Sequence, residues 1–134
     1  MPELPHPFSL RIYYEDTDAG GVVYYANYLK FFERARTEWL RALGVEQRSL
    51  QIDTGAIFVV AEAHVRYLLP AKLDDLLTVS VRVVERGQAS LQLAQQLWRG
   101  DVLLVEGQFR IGCVDAVTLR PRRIPAQIST ALRV

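Results

Sequence analysis

The sequence predicts an α+β domain in which an antiparallel sheet of about five strands wraps round one long helix. Three observations lead there. A sustained helical period of apolar residues occurs in one segment only, Asn27 to Leu43. One β-prone run precedes that segment and four follow it. The last runs are long and separated by short turns, which suits an antiparallel meander.

Residues 1–7 are a Pro-rich lead-in, and Phe8 to Tyr14 is apolar and β-prone, a strand. Glu15 to Val23, with its acids and Gly-Gly pair, is a loop. Tyr28, Phe31, Phe32, Ala35, Trp39, Ala42 and Leu43 then share one helix face, with Asn27 placed as N-cap and Gly44 as the C′ residue. Arg34 and Glu38 are spaced as an i,i+4 pair. A short connector leads to a strand from Ile57 to Leu69, which Pro70 stops. Leu76 to Arg86 alternates, with Leu77, Val79, Val81 and Val83 on one face. Ala89 to Arg99 turns through Gly100-Asp101 into Val102–Val114, and a short C-terminal helix follows Pro125. A broad apolar stripe on the helix has to be covered, and the sheet is the only large partner. Long strands without barrel closure leave edges, so the sequence predicts pairing across a two-fold axis, a homodimer.

Composition bounds the function. A chain of 134 residues is one domain, 1–134, large enough for a real core. Sixteen basic against fifteen acidic residues give a net charge of +1 and no reason to expect nucleic acid or an acidic membrane. Cys113 stands alone and cannot form an internal disulfide, which with the absence of a signal-peptide pattern points to the cytoplasm. No apolar run approaches the ~18 residues of a membrane span.

Five of the six tyrosines fall between Tyr13 and Tyr28, together with Glu15, Asp16, Asp18, Gly20 and Gly21. As a calcium loop, Asp16, Asp18 and Gly21 would take positions 1, 3 and 6, but position 12 is Asn27 where a bidentate Glu is needed. A strand followed by D-x-D also opens the aspartyl-phosphate phosphatases, whose parallel sheet does not suit one helix before a meander. A third reading sets the Asp18 carboxylate beside the helix N-terminus. There, free amides and the helix dipole can hold a carbonyl that becomes negative, and Asp18 can attack it or activate water. The glycines Gly20 and Gly21 would let the backbone approach the substrate closely, and Val22 beside them is a further candidate to bind it. Against this stands the plainer possibility that Asp16 and Asp18 only cap turns and the tyrosines only pack.

The stretch Tyr13-Tyr14-Glu-Asp-Thr-Asp-Ala-Gly-Gly-Val-Val-Tyr-Tyr-Ala-Asn-Tyr28, continuing through Phe32-Glu-Arg-Ala-Arg-Thr-Glu38, closely resembles the 4-hydroxybenzoyl-CoA thioesterase family of hotdog-fold enzymes. Within it the resemblance is strongest to the bacterial Tol–Pal-associated acyl-CoA thioesterases. It extends from about Leu10 to Pro125, taking in Pro70-Ala-Lys-Leu-Asp-Asp75 and Arg120-Pro-Arg-Arg-Ile-Pro125.

The resemblance implies a hotdog fold and hydrolysis of an acyl- or aroyl-CoA. It makes Asp18 the catalytic aspartate, nucleophile or general base. The Tyr25 backbone N–H polarises the thioester carbonyl, and Tyr14 belongs to the site. Many Tol–Pal-type members carry His at the position of Tyr25. A phenol, with an ordinary pKa of ~10, does not replace imidazole as a base near neutral pH, but a backbone amide needs no particular side chain. The implied partners are the acyl-CoA substrate, a second copy in a dimer, a dimer of dimers, and an acyl carrier protein or Tol–Pal link. No metal or separate cofactor is implied, since coenzyme A is part of the substrate. The alternative is a hotdog protein that binds acyl-CoA or acyl carrier protein without hydrolysis; retained Asp18 argues against it.

Among the other residues, Tyr24, Tyr28 and Phe58 are candidates to line the acyl pocket, and Lys72, Arg86 and the Arg120–Arg123 cluster to meet the CoA phosphates. Glu33 and Glu38 sit where arginines can pair with them. His6 and His64 lie outside the motif, and Cys113 reads as core. One helix and one sheet are too small to enclose a CoA thioester, so each pocket is expected between two chains.

Overall fold

The single helical period becomes α1 (Asn27–Ala42) in the computed structural model, which describes residues 4–132. The first three residues of the Pro-rich lead-in therefore lie outside the described part. Tyr28, Phe31, Phe32, Ala35, Trp39 and Leu40 are the buried face of α1. Leu40 takes the place expected of Ala42, because the chain turns back at Gly44 (φ +85°) and buries Val45 and Leu50 on that side. Asn27 is the first helical residue and not the cap; Ala26 caps the helix without a side-chain hydrogen bond.

Around α1 lie β1 (Phe8–Arg11), β2 (Ala56–Tyr67), β3 (Leu76–Val79), β4 (Arg82–Arg86), β5 (Ser90–Arg99) and β6 (Val102–Asp115). The antiparallel order is β1-β3-β5-β6-β2, and β4 also pairs with β5. This is the expected α+β hotdog architecture, with three adjustments. The first strand stops at Arg11, because the buried Ile12 is clamped by bonds to Asp75 O and from Asp74 N, and Tyr14–Asp16 then winds into a 3-10 turn. The alternating run Leu76–Arg86 breaks at the buried Ser80 and Val81, so β3 and β4 share one side of β5; the Gln96 N–H donates to Ser80 Oγ at the break. The connector after Gly44 contains a helix, α2 (Gln47–Thr54), which buries only Leu50 and so has too little apolar period to be read. The consecutive antiparallel meander covers β4 to β6. The strand after α2 pairs with β6 and forms the far edge. Helix α3 (Ala126–Ala131) follows Pro125 as expected.

Residues of β5 and β6 alternate between two faces. Leu91, Leu93, Gln95 and Leu97, with Val105, Phe109, Ile111 and Cys113, are buried on the α1 side. The other face is polar, with the pairs Arg66–Glu106 (2.8 Å) and Arg110–Glu62 (3.5 Å) across β2 and β6. One register shift interrupts the β2–β6 ladder, between Val60 and Glu62.

Gly107 marks the tightest place in this core. A Cβ there would lie 2.6 Å from Phe109 Cε2 and 2.8 Å from Cζ. That ring is pinned, with Phe32 5.2 Å away centroid to centroid and the Arg36 guanidinium 4.7 Å above it. Gly107→Ala is expected to cost roughly 1–3 kcal/mol of overpacking, measured by urea denaturation. An unchanged midpoint would show that the ring moves aside freely.

Candidate active site

The segment from Tyr13 to Ala26 connects the first strand to α1 and is held at several points. Asp18 N–H donates to Val22 O, and Gly21 N–H returns a bond to Asp18 O. Gly21 has φ +80°, a conformation glycine adopts at little cost. Isolated bridges join Thr17 to Val23 and Val22 to Lys72, and Val23 N–H donates to Ala71 O. The Asp16 carbonyl accepts both the Tyr24 N–H (3.1 Å) and the Asn27 side-chain amide (2.9 Å), stapling the loop to the helix start.

Asp18 is exposed, and one carboxylate oxygen accepts the Gly20 N–H at 2.8 Å. Its other oxygen has no hydrogen bond among the described residues. Asp18 shares an open groove of about 470 Å³ with Glu15, Thr17, Tyr24, Ala26, Asn27 and Lys30. The Tyr25 N–H, just ahead of α1, likewise finds no acceptor among the described residues. Such an amide at the positive end of a helix is suited to an anion or a carbonyl oxygen. A carboxylate and an unpaired amide thus flank the start of one helix.

Tyr67 on β2 joins this cluster and was not singled out in the sequence, because it lies 42 residues from Tyr25 and no local spacing connects them. Its hydroxyl donates to Tyr25 O at 3.2 Å, and its ring meets those of Tyr25 (6.3 Å) and Tyr28 (5.5 Å). Burial, then the neighbouring Tyr25, pushes the Tyr67 phenol pKa up, which keeps it a donor at neutral pH. Lys30 was also missed, although its position one turn after Asn27 faces the same groove.

The other expected site residues scatter. Tyr14 is exposed in the 3-10 turn, where its carbonyl accepts from Thr17. Tyr28 is buried, and its hydroxyl accepts the Ala71 N–H at 3.0 Å. Lys72 adjoins the loop through its backbone bridge to Val22. Phe58 lines a different cavity, about 280 Å³, between α1 and β2. Arg86 donates to Ser129 O beside an open hollow that also holds Arg123. It pairs with Leu91, at the end of β5 away from Arg99, whose guanidinium bonds Asp75 beside the loop. Eight strand residues, about 26 Å, separate those ends.

An antiparallel sheet wrapped round one helix, in the order β1-β3-β5-β6-β2, defines a protein of the hotdog fold. Residues 13–132 match the thioesterase-like superfamily. The chain is 44% identical over 124 residues to the acyl-CoA thioesterase YbgC of Haemophilus influenzae, covering 92% of this chain and 91% of that one. It is 42% identical over 120 residues to the acyl-CoA thioester hydrolase YbgC of Escherichia coli O157:H7, covering 89% of each. A crystal structure of a probable thioesterase from Bartonella henselae superposes with a TM-score of 0.84 at 36% identity, covering 90% of this chain and 98% of that one. The chain belongs to the thioesterase-like superfamily.

The staple at Asp16 is testable. Asn27→Ala removes one of its two donors and is expected to cost about 1 kcal/mol. It should speed amide hydrogen exchange in residues 17–24 while α1 stays protected. Faster exchange confined to the first turn of α1 would instead assign Asn27 a capping role.

Proposed function

We propose that this chain hydrolyses acyl-CoA thioesters at the start of α1, with Asp18 as the nucleophile or general base and the Tyr25 N–H as the carbonyl donor. The observation that carries the reading is an exposed Asp18, with one carboxylate oxygen free of hydrogen bonds among the described residues, in a groove with Tyr24, Ala26 and Asn27 at the start of the helix, where the Tyr25 N–H also finds no acceptor among the described residues. The thioester oxygen gains negative charge as the tetrahedral centre forms, and a fixed amide on the helix dipole favours that charge. Asp18 either adds to the carbonyl carbon, giving a mixed anhydride that water then opens, or takes a proton from the water that adds. In both routes the C–S bond breaks and coenzyme A leaves as its thiolate, so no metal or separate cofactor is called for. The activity named for the Haemophilus and Escherichia relatives supports this substrate class.

The reading extends to a second copy. Strand β2 is twelve residues long, pairs with β6 alone among the described residues, and leaves Val59, Val60 and Tyr67 exposed. An edge of this kind invites pairing. A two-fold axis perpendicular to this edge strand would set a second β2 antiparallel to the first and bring the distant end of the neighbouring sheet toward Tyr67. In that arrangement the hollow with Arg86 and Arg123 supplies cations to the CoA phosphates, close to the groove of the other chain. The working unit is a cytoplasmic homodimer, and a dimer of dimers completes it.

Thiol release from a panel of acyl-CoAs tests the chemistry. Asp18→Ala is expected to lower turnover roughly 10²–10⁴-fold. Tyr25→Phe keeps the backbone donor and should cost little by comparison. Equal release by wild type and Asp18→Ala on every substrate would exclude hydrolysis at this site. A loss in Tyr25→Phe as large as in Asp18→Ala would move the role from the amide to the phenol.

A further inference from the structure

Arg36 sits in the middle of α1, half-buried, and burial lowers its pKa to about 10. One N–H donates to Gln95 Oε1 at 2.9 Å, and the cation lies over the Phe109 ring. Gln95 is itself buried and passes a bond on to Phe32 O (3.1 Å), so Arg36 is fixed in place. No carboxylate lies within 4 Å of it among the described residues; Glu33, one turn back, is exposed and acts on it only at longer range. A partly desolvated charge without a counter-ion is costly. Arg36 itself lines the 280 Å³ cavity between α1 and β2, whose walls also include Phe58, Val60, Leu93 and Ile111. This cavity is on the same α1–β2 flank whose other end holds Tyr25 and Tyr67. Eleven helical residues separate Tyr25 from Arg36, about 16 Å along the axis, and the Arg36 side chain leans back toward the helix start.

We propose that Arg36 reads the far end of the acyl group, selecting thioesters whose apolar chain ends in a carboxylate. The inference rests on the hydrolase reading above, with the carbonyl held at Tyr25. Apolar walls take the methylenes, and the fixed guanidinium supplies the charge-assisted bonds that a terminal carboxylate accepts. Glu33 at the rim opposes an anion, so it sets a limit on the preference and does not create it.

The test compares adipoyl-, suberoyl- and sebacoyl-CoA with hexanoyl-, octanoyl- and decanoyl-CoA by thiol release. At one matched length or more, wild type should favour the carboxylate-ended substrate roughly ten- to hundredfold in kcat/KM, the worth of one charge-assisted hydrogen bond. Arg36→Met should bring that ratio close to one, Arg36→Lys should restore part of it, and Glu33→Gln should hold or raise it. No preference at any length, or an unchanged ratio in Arg36→Met, overturns the proposal. So does loss of the ratio in Glu33→Gln. If wild type hydrolyses neither series, the hydrolase reading fails separately, and thermal shift still decides on Arg36. Suberate but not octanoate should then raise the Tm of wild type and leave Arg36→Met unmoved; equal shifts in both proteins overturn it.

Discussion

The structure depends on the burial of one face of α1 against the curved sheet. Phe31 and Phe32 are wholly enclosed, and Phe32 meets Phe109 on the central part of β6. Because that contact fixes where the helix lies, it also fixes where the helix begins. The position of the Tyr25 amide, just ahead of the helix, therefore follows from the hydrophobic core. The core thus sets where the helix starts, and the Tyr13–Ala26 segment sets the Asp18 carboxylate in the groove at that start.

Gly107 belongs to the same constraint. The space a side chain would take there is filled by the Phe109 ring, and above that ring lies Arg36. Glycine, phenylalanine and arginine form a stack that carries a charge down into an otherwise apolar region. A cation held over an aromatic face keeps part of the stabilisation it loses on leaving water. The Arg36–Gln95–Phe32 chain gives the buried Gln95 amide a donor for its oxygen and an acceptor for its nitrogen, so that side chain is satisfied within the core.

What could be read from the sequence follows from what is local. The α1 face, the Gly44 terminus and the long β5–β6 hairpin were all legible, because period, cap and turn signals act within a few residues. The Asp18 loop was legible as a concentration of acids, glycines and tyrosines. Helix α2 was not, because one buried leucine in eight residues makes no pattern. Neither was the break at Ser80–Val81, where alternation continues in sequence while the strand bends. The strand order could not be derived from turns either, since β2 reaches past three later strands to pair with β6. Tyr67 and Arg36 were missed for a related reason: their partners, Tyr25 and Gln95, are 42 and 59 residues away.

The register shift in β2 has a consequence for how the strand is numbered by its own geometry. Before it, Phe58 and Val60 stand opposite Cys113 and Ile111, on the helix side; after it, Ala63, Val65 and Tyr67 stand opposite Phe109, Gly107 and Val105, on that same side. Even positions face inward at one end of the strand and odd positions at the other. Ala61 is the residue that changes the parity, and it lies where an unbroken apolar run, Ile57 to Val60, gives way to strict alternation. Phe58 and Tyr67, nine residues apart, could not share a face of an uninterrupted strand. One inserted residue thus reconciles two reading frames, and lets a single strand border the helix along its length.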